Sequence, residues 1–321
     1  MTESEVVLPP PVRCEGFILL EEVGRGGSGS VWRAVQQDTG ATVAIKILLE
    51  GPLATESQRR RFLHEATISR QLAHPGIIAT HELRETDGTL FLVMDFVEGE
   101  SLAARFRGDP VPHRELAVWV RRLADAVAYA HRCGVLHRDL KPGNVLIDAT
   151  GRPRILDFGL ATPFERPVDS SLTSSGAGTL SYLAPEQVLQ RHKPPDKATD
   201  VHGLGGILYH GLTGRPPYVG EDPPAVFRSI AELDVPSPRY FVPTVPAALE
   251  TICLKCLRKE PSRRYASAEE LCDDLDRFLA GSPIRAQPMG RLERMWRWCR
   301  RRPLAATLAV SSAAAVALLL V

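Results

Sequence analysis

The sequence lacks several features that would have narrowed its class at once. No internal repeat recurs along its 321 residues, which excludes a solenoid or propeller of stacked units. Neither sign of charge is in excess: 39 Lys and Arg stand against 38 Asp and Glu, a net of +1. That balance gives no general argument for nucleic acid, and no nucleic-acid partner is expected. Cysteine is sparse, with six residues scattered at positions 14, 133, 253, 256, 272 and 299, the pattern of reduced thiols and not of a disulfide framework. Cys253 and Cys256 form a C-x-x-C without a second pair. Their spacing puts both on one face of a helix, which favours packing over metal or redox work. The N-terminus runs acidic and then Pro-rich at Pro9, Pro10 and Pro11. It lacks the basic-then-apolar order of a signal peptide, so residues 1–16 are expected to be a loose tail.

What is present is a folded-domain composition, 44% hydrophobic and 24% charged, enough for one two-lobed domain or two small ones plus tails. The densest chemistry lies in His137-Arg138-Asp139-Leu140-Lys141-Pro142-Gly143-Asn144. A carboxylate, two cations and an amide within eight residues are the types that phosphoryl transfer needs close together. Upstream, Phe17 to Gly24 reads as a strand entering Gly24-Arg25-Gly26-Gly27-Ser28-Gly29. The segment after it, Ser30 to Val35, is β-branched and aromatic and reads as a second strand. A glycine-rich hairpin, not a strand-to-helix turn, therefore closes here, and its backbone amides can cover phosphates.

Thr42 to Leu48 is apolar except for Lys46, and a lysine inside a buried strand requires partners. The next helix, about 55–72, supplies Glu65 among Phe62, Ile68 and Leu72. Strands are expected at about 78–83 and 90–96, then a helix over 114–133, where Leu116, Val120, Leu123, Val127 and Ala130 recur at helical spacing. Asp157 ends an apolar strand at Ile155-Leu156-Asp157-Phe158-Gly159, a suitable place for a carboxylate that meets Mg²⁺. Thr162 to Ala177 is rich in hydroxyls (Thr162, Ser170, Ser171, Thr173, Ser174, Ser175) and reads as a loop. Ala184-Pro185-Glu186 closes that segment.

These motifs, in this order, resemble those of bacterial, eukaryotic-like Ser/Thr protein kinases: H-R-D-x-K-x-x-N, the glycine loop, V-A-I-K, D-F-G and A-P-E. The resemblance covers about residues 17–280. It implies an α+β, two-lobed protein kinase fold, with a small β-rich lobe over 17–97 and a larger, mainly helical lobe over 98–280. It also implies ATP and Mg²⁺ as ligands and Ser/Thr hydroxyls of proteins as acceptors. Asp139 would orient and accept from the acceptor hydroxyl, Lys141 would steady the γ-phosphate, and Asn144 and Asp157 would hold Mg²⁺. Lys46, oriented by Glu65, would hold the α- and β-phosphates beneath Gly24 to Gly29. Val31, Ala44, Met94 and Leu146 would enclose the adenine, with the main chain of Asp95 and Val97 bonding it. Either Glu100 or Ser101 would meet the ribose. The resemblance makes Asp200 a buried aspartate of the larger lobe, pairs Glu186 with Arg264 and makes Thr173, then Ser171, the loop sites of phosphorylation; a homodimer phosphorylating in trans is compatible with it. Two other readings remain: a pseudokinase scaffold, against which Lys46, Asp139 and Asp157 all stand, and a small-molecule phosphotransferase, which would generally lack Glu186 and Arg264.

After Gly281 the composition shifts. Residues 281–302 are arginine-rich with Trp296 and Trp298, and 303–321 carry no charge, close to the ~20 residues of a spanning helix. The expectation is a basic juxtamembrane arm and a single transmembrane helix, with the catalytic domain on the cytoplasmic, positive side.

Overall fold

The computed structural model describes residues 13–26, 29–48, 51–158, 180–189 and 196–286. The chain divides into two units, residues 1–284 and 285–321, and of the second only Arg285 and Ala286 are described. Gly27, Ser28, Gly159, the hydroxyl-rich loop with Ser171, Thr173 and Thr179, and residues 287–321 lie outside the described residues. Among the described residues no helix is long and apolar enough to cross a membrane.

The first lobe is a five-stranded antiparallel sheet of β1 (Phe17–Gly26), β2 (Gly29–Gln36), β3 (Thr42–Leu48), β4 (Thr80–Thr86) and β5 (Thr89–Asp95), in the order β1-β2-β3-β5-β4. One helix, α1 (Glu56–Ser69), packs on it, started by a capping box in which Thr55 and Gln58 satisfy each other's amides. Cys14 is buried in the core with Phe17, Ile45 and Phe91. Order therefore reaches back into the segment 1–16 expected to be a tail. The expected strand over 78–83 starts later, because Ile77 and Ile78 are buried for another reason: they bond to Ile155 of the second lobe.

The second lobe begins with a small sheet, β6 (Gly99–Ser101), β7 (Val145–Asp148) and β8 (Pro153–Ile155), in that order. Its helices are α2 (Leu102–Arg105), α3 (His113–Arg132), α4 (Pro185–Leu189), α5 (Lys197–Thr213), α6 (Pro223–Glu232), α7 (Pro238–Phe241), α8 (Ala247–Cys256) and α9 (Ala268–Leu279). The apolar stripe read for the helix over 114–133 is the buried face of α3: Leu116, Val120, Leu123 and Val127 are each 0% exposed.

Helix α5 is buried on nearly every side, as a helix apolar all round must be. Two glycines let its neighbours approach. A Cβ on Gly203 would stand 2.6 Å from the Leu140 Cβ, and one on Gly205 2.4 Å from the Cys256 Cβ. The first close approach seats the catalytic stretch directly on α5. The second explains Cys253 and Cys256, both fully buried on α8, where burial pushes both thiols up.

His202 of α5 is fully buried, stacked on Tyr218, and held neutral by burial and then by the nearby charges of Arg264 and Lys259. Its folded pKa lies below the unfolded value, so the unfolded chain alone takes up a proton as pH falls. Stability from this histidine is present above about pH 6.5 and is lost below it, by ~1.4 kcal/mol per pH unit. His202→Gln should flatten the slope of unfolding free energy against pH between 6.5 and 5 by about that amount. Equal slopes in denaturant titrations of the two proteins would refute the assignment.

Candidate active site

The site forms where β3, α1 and the loops flanking β7 and β8 meet. Lys46 Nζ donates to Glu65 Oε1 at 2.6 Å and to Asp157 Oδ1 at 2.9 Å. The Lys46 and Glu65 side chains are 3% and 2% exposed, while Asp157 is more open at 28%. Burial works against the Lys46 ammonium, but two carboxylates outweigh it and raise its pKa. Burial pushes the Glu65 carboxyl up, and of its neighbours Lys46 opposes this and Asp157 adds to it. Burial would also raise Asp157, yet the Lys46 ammonium, helped by His137 and Lys141, holds it below its ordinary value. The more open carboxylate is thus the firmly ionised one. Asp157 also holds φ at 57°, a left-handed conformation that a non-glycine residue keeps only when its surroundings insist.

The catalytic stretch is organised around a buried anion that sequence reasoning identified only as a buried aspartate. Asp200 Oδ1 accepts from the Arg138 N–H at 2.7 Å, and Oδ2 accepts from the His137 N–H at 2.9 Å and bonds His131 Nε2 at 2.8 Å. His137 Nε2 donates to the Leu156 carbonyl at 2.9 Å, which leaves Nδ1 to accept the Asp139 N–H at 3.3 Å. The His137 ring meets Phe158 edge-on with centroids 4.8 Å apart, and the Phe158 carbonyl accepts from Ser69 Oγ of α1 at 3.1 Å. One chain of contacts therefore joins α1, the Asp157 turn and the catalytic stretch.

On that base, Asp139 Oδ2 accepts from Lys141 Nζ at 2.7 Å and from Asn144 Nδ2 at 3.0 Å. A second bond from Asn144 Nδ2 reaches the Asp139 carbonyl at 2.8 Å. No bond to Asp139 Oδ1 is formed by the described residues, so that oxygen can take a hydroxyl proton. With its nitrogen committed to Asp139, Asn144 has its amide oxygen left for a cation. Asp157 likewise has one oxygen beyond the one held by Lys46. One carboxylate and one amide oxygen suit Mg²⁺, which completes its shell with water and phosphate oxygens. The donor set fits the ion that the motifs imply.

Val31, Ala44, Met94, Val97 and Leu146 belong to a single apolar cluster spanning both lobes. Val23, a residue that sequence reasoning passed over, is 49% exposed beside Gly24. The Asp95 N–H is already bonded to the Ala79 carbonyl at 2.9 Å. Ser101 is used as the cap of α2, where its Oγ accepts from the Ala104 N–H at 3.1 Å. Glu100 is exposed and carries no such bond. Gly24, Arg25, Gly26 and Gly29 close the β1–β2 hairpin, with Gly26 opposite Gly29.

Beneath the site, Glu186 and Arg264 form two parallel bonds of 2.7 Å each, as the motif implied. Tyr182, in the segment between them and the hydroxyl-rich loop, is hydrogen-bonded through its hydroxyl to His210 Nδ1.

The sequence profile of the family described as "Protein kinase domain" matches residues 17–275. Among curated proteins, the chain is 37% identical over 285 residues to the serine/threonine-protein kinase PkaA of Streptomyces coelicolor, covering 84% of this chain and 51% of that one. It is 34% identical over 260 residues to the serine/threonine-protein kinase PrkC of Bacillus subtilis, covering 81% and 40%. The crystal structure of a mutant PknI kinase domain from Mycobacterium tuberculosis superposes with a TM-score of 0.64 at 28% identity, covering 84% of this chain and 98% of that one. The chain spans between 40% and 51% of the length of the first curated relatives it matches.

Proposed function

The chain belongs to the protein kinase domain family, and from that premise we propose that it transfers the γ-phosphate of ATP to serine and threonine hydroxyls of proteins. The observation that carries the reading is the joint geometry of Lys46, Glu65 and Asp157 on one side and Asp139, Lys141 and Asn144 on the other. Each of these six side chains is hydrogen-bonded to another of them, and they are the residue types that phosphoryl transfer uses.

In the mechanism, Lys46 holds the α- and β-phosphates, kept in place by Glu65. Asp139 aligns the acceptor hydroxyl and takes its proton at Oδ1, while Lys141 steadies the γ-phosphate. Asn144 and Asp157 would hold Mg²⁺, which when bound would neutralise charge on the phosphate oxygens. Glu100 is the ribose contact, since the Ser101 hydroxyl already caps α2. The test is ATP-dependent labelling of a general protein acceptor, with Mg²⁺ and again after chelation. Labelling only with Mg²⁺ supports the reading; ATP binding without transfer under both conditions supports a scaffold.

Two further elements rest on sequence. Arg138 precedes Asp139, and a phosphate on Thr173, or else Ser171, would bring nearly two negative charges able to order the loop against it. Mass spectrometry after autophosphorylation should find phosphate between Ser170 and Ser175; an unmodified loop in a fully active protein refutes the switch. Residues 303–321 anchor the chain in a membrane, with the basic arm on the cytoplasmic side adding up to ~1 kcal/mol per residue that reaches anionic lipid. Removing 303–321 should release the protein to the soluble fraction with transfer activity intact. Full-length protein that fractionates as soluble without detergent would end the anchor proposal.

A further inference from the structure

Arg138 holds φ at 66°, a left-handed conformation that a non-glycine residue keeps only where its surroundings offset the strain. Its N–H is held by Asp200. Its carbonyl is held from elsewhere: Gln187 Nε2 donates to the Arg138 carbonyl at 2.8 Å. The same side chain accepts the Ala184 N–H at Oε1, 2.9 Å away. The second bond fixes which end of the amide is which, because only the oxygen can face an N–H donor.

The bond to Ala184 is ordinary. Gln187 is the third residue of α4, and a glutamine or glutamate there commonly reaches back to the cap amide. A glutamate would cap equally well. What glutamate lacks is the nitrogen that binds Arg138, so capping alone does not account for the tie. The carbonyl it grips belongs to the peptide unit whose N–H is that of Asp139, and this N–H is itself held by His137 Nδ1. Both ends of the peptide plane that aims Asp139 are thereby fixed, one from within the catalytic stretch and one from α4.

We infer that Gln187 is a positioning residue that sets the orientation of Asp139 from the segment where the hydroxyl-rich loop ends. This rests on the phosphotransfer reading and deepens it. The segment is anchored through Tyr182 to His210 and through Glu186 to Arg264, so α4 is a fixed post and Gln187 is its link to the catalytic stretch.

The discriminating variant is Gln187→Glu, which keeps the cap and loses the tie. Loss of one such bond should lower kcat about tenfold, with the Kd for ATP unchanged. Gln187→Lys, which restores a donor toward the Arg138 carbonyl without the cap, should recover most of the loss. A second measurement needs no activity: amide hydrogen exchange at Arg138 and Asp139 should speed up about tenfold in Gln187→Glu, while α3 and α5 keep their protection. Unchanged kcat and unchanged exchange at these amides would overturn the inference. A uniform loss of protection together with weaker ATP binding would also overturn it, by showing a merely structural role. If wild type transfers no phosphate, the functional reading fails by itself, and the exchange experiment still decides whether Gln187 holds the Asp139 peptide.

Discussion

Asp139→Asn should lower the rate of phosphate transfer about 10³-fold, within the range attributed to a positioned general base, while ATP binds as before. The fold should survive the change for a specific reason. Lys141 and Asn144 both donate to the same Asp139 oxygen, and an asparagine oxygen can accept both bonds. The other oxygen becomes an amide nitrogen, which can neither take a proton nor align a donor hydroxyl. Lys46, Glu65 and Asp157, the proposed nucleotide side, are untouched. Rate and binding should therefore separate cleanly in steady-state kinetics alongside a direct ATP titration. Equal turnover in the two proteins would remove Asp139 from the mechanism.

Arg264→Ala should be the largest change in stability. The guanidinium is 0% exposed and forms the paired bonds to Glu186. It also donates to the carbonyls of Arg258 at 2.7 Å, Ala198 at 2.9 Å and Lys259 at 3.1 Å. Removing it strands the largely enclosed Glu186 carboxylate, which among the described residues keeps only its bond from Thr199 Oγ1, and three carbonyls besides. Breaking a buried pair in this way costs ~3–5 kcal/mol, against a total of roughly 5–15 for a folded domain. For a domain of this size, that loss corresponds to a melting temperature about 10 °C lower. Arg264→Lys should recover little, because an ammonium cannot reproduce the fork. A melting temperature within a degree or two of wild type in calorimetry would contradict this account of the pair.

The candidate site residues were legible where chemistry is dense along the chain. Lys46 announced itself as a charge in an apolar strand, and Glu65 followed from one helix face. Asp139, Lys141 and Asn144 lie within a few residues of one another, so sequence proximity already implied spatial proximity. Asp157 stood out as a carboxylate at the end of an apolar run. The pairing of Glu186 with Arg264, far apart in sequence, came from the family pattern and not from local spacing.

What stayed hidden depends on partners distant in sequence and ordinary in type. Asp200 was read as a buried aspartate, but not as the acceptor for His137 and Arg138 amides more than sixty residues away. Gln187 carries no sequence signal beyond its place at the start of a short helix. The Ser101 hydroxyl's bond to the Ala104 N–H was hidden too, because only the backbone path of α2 reveals that cap. Ile78 looked like the start of a strand because burial and strand formation leave the same apolar signature.

The fate of the γ-phosphate tests the central claim most directly. The protein is incubated with Mg²⁺, γ-labelled ATP and a general protein acceptor, the acceptor is hydrolysed, and the labelled amino acids are identified. Label on serine and threonine is the predicted result. ATP bound in the presence of Mg²⁺ with no label on any protein amino acid would contradict it.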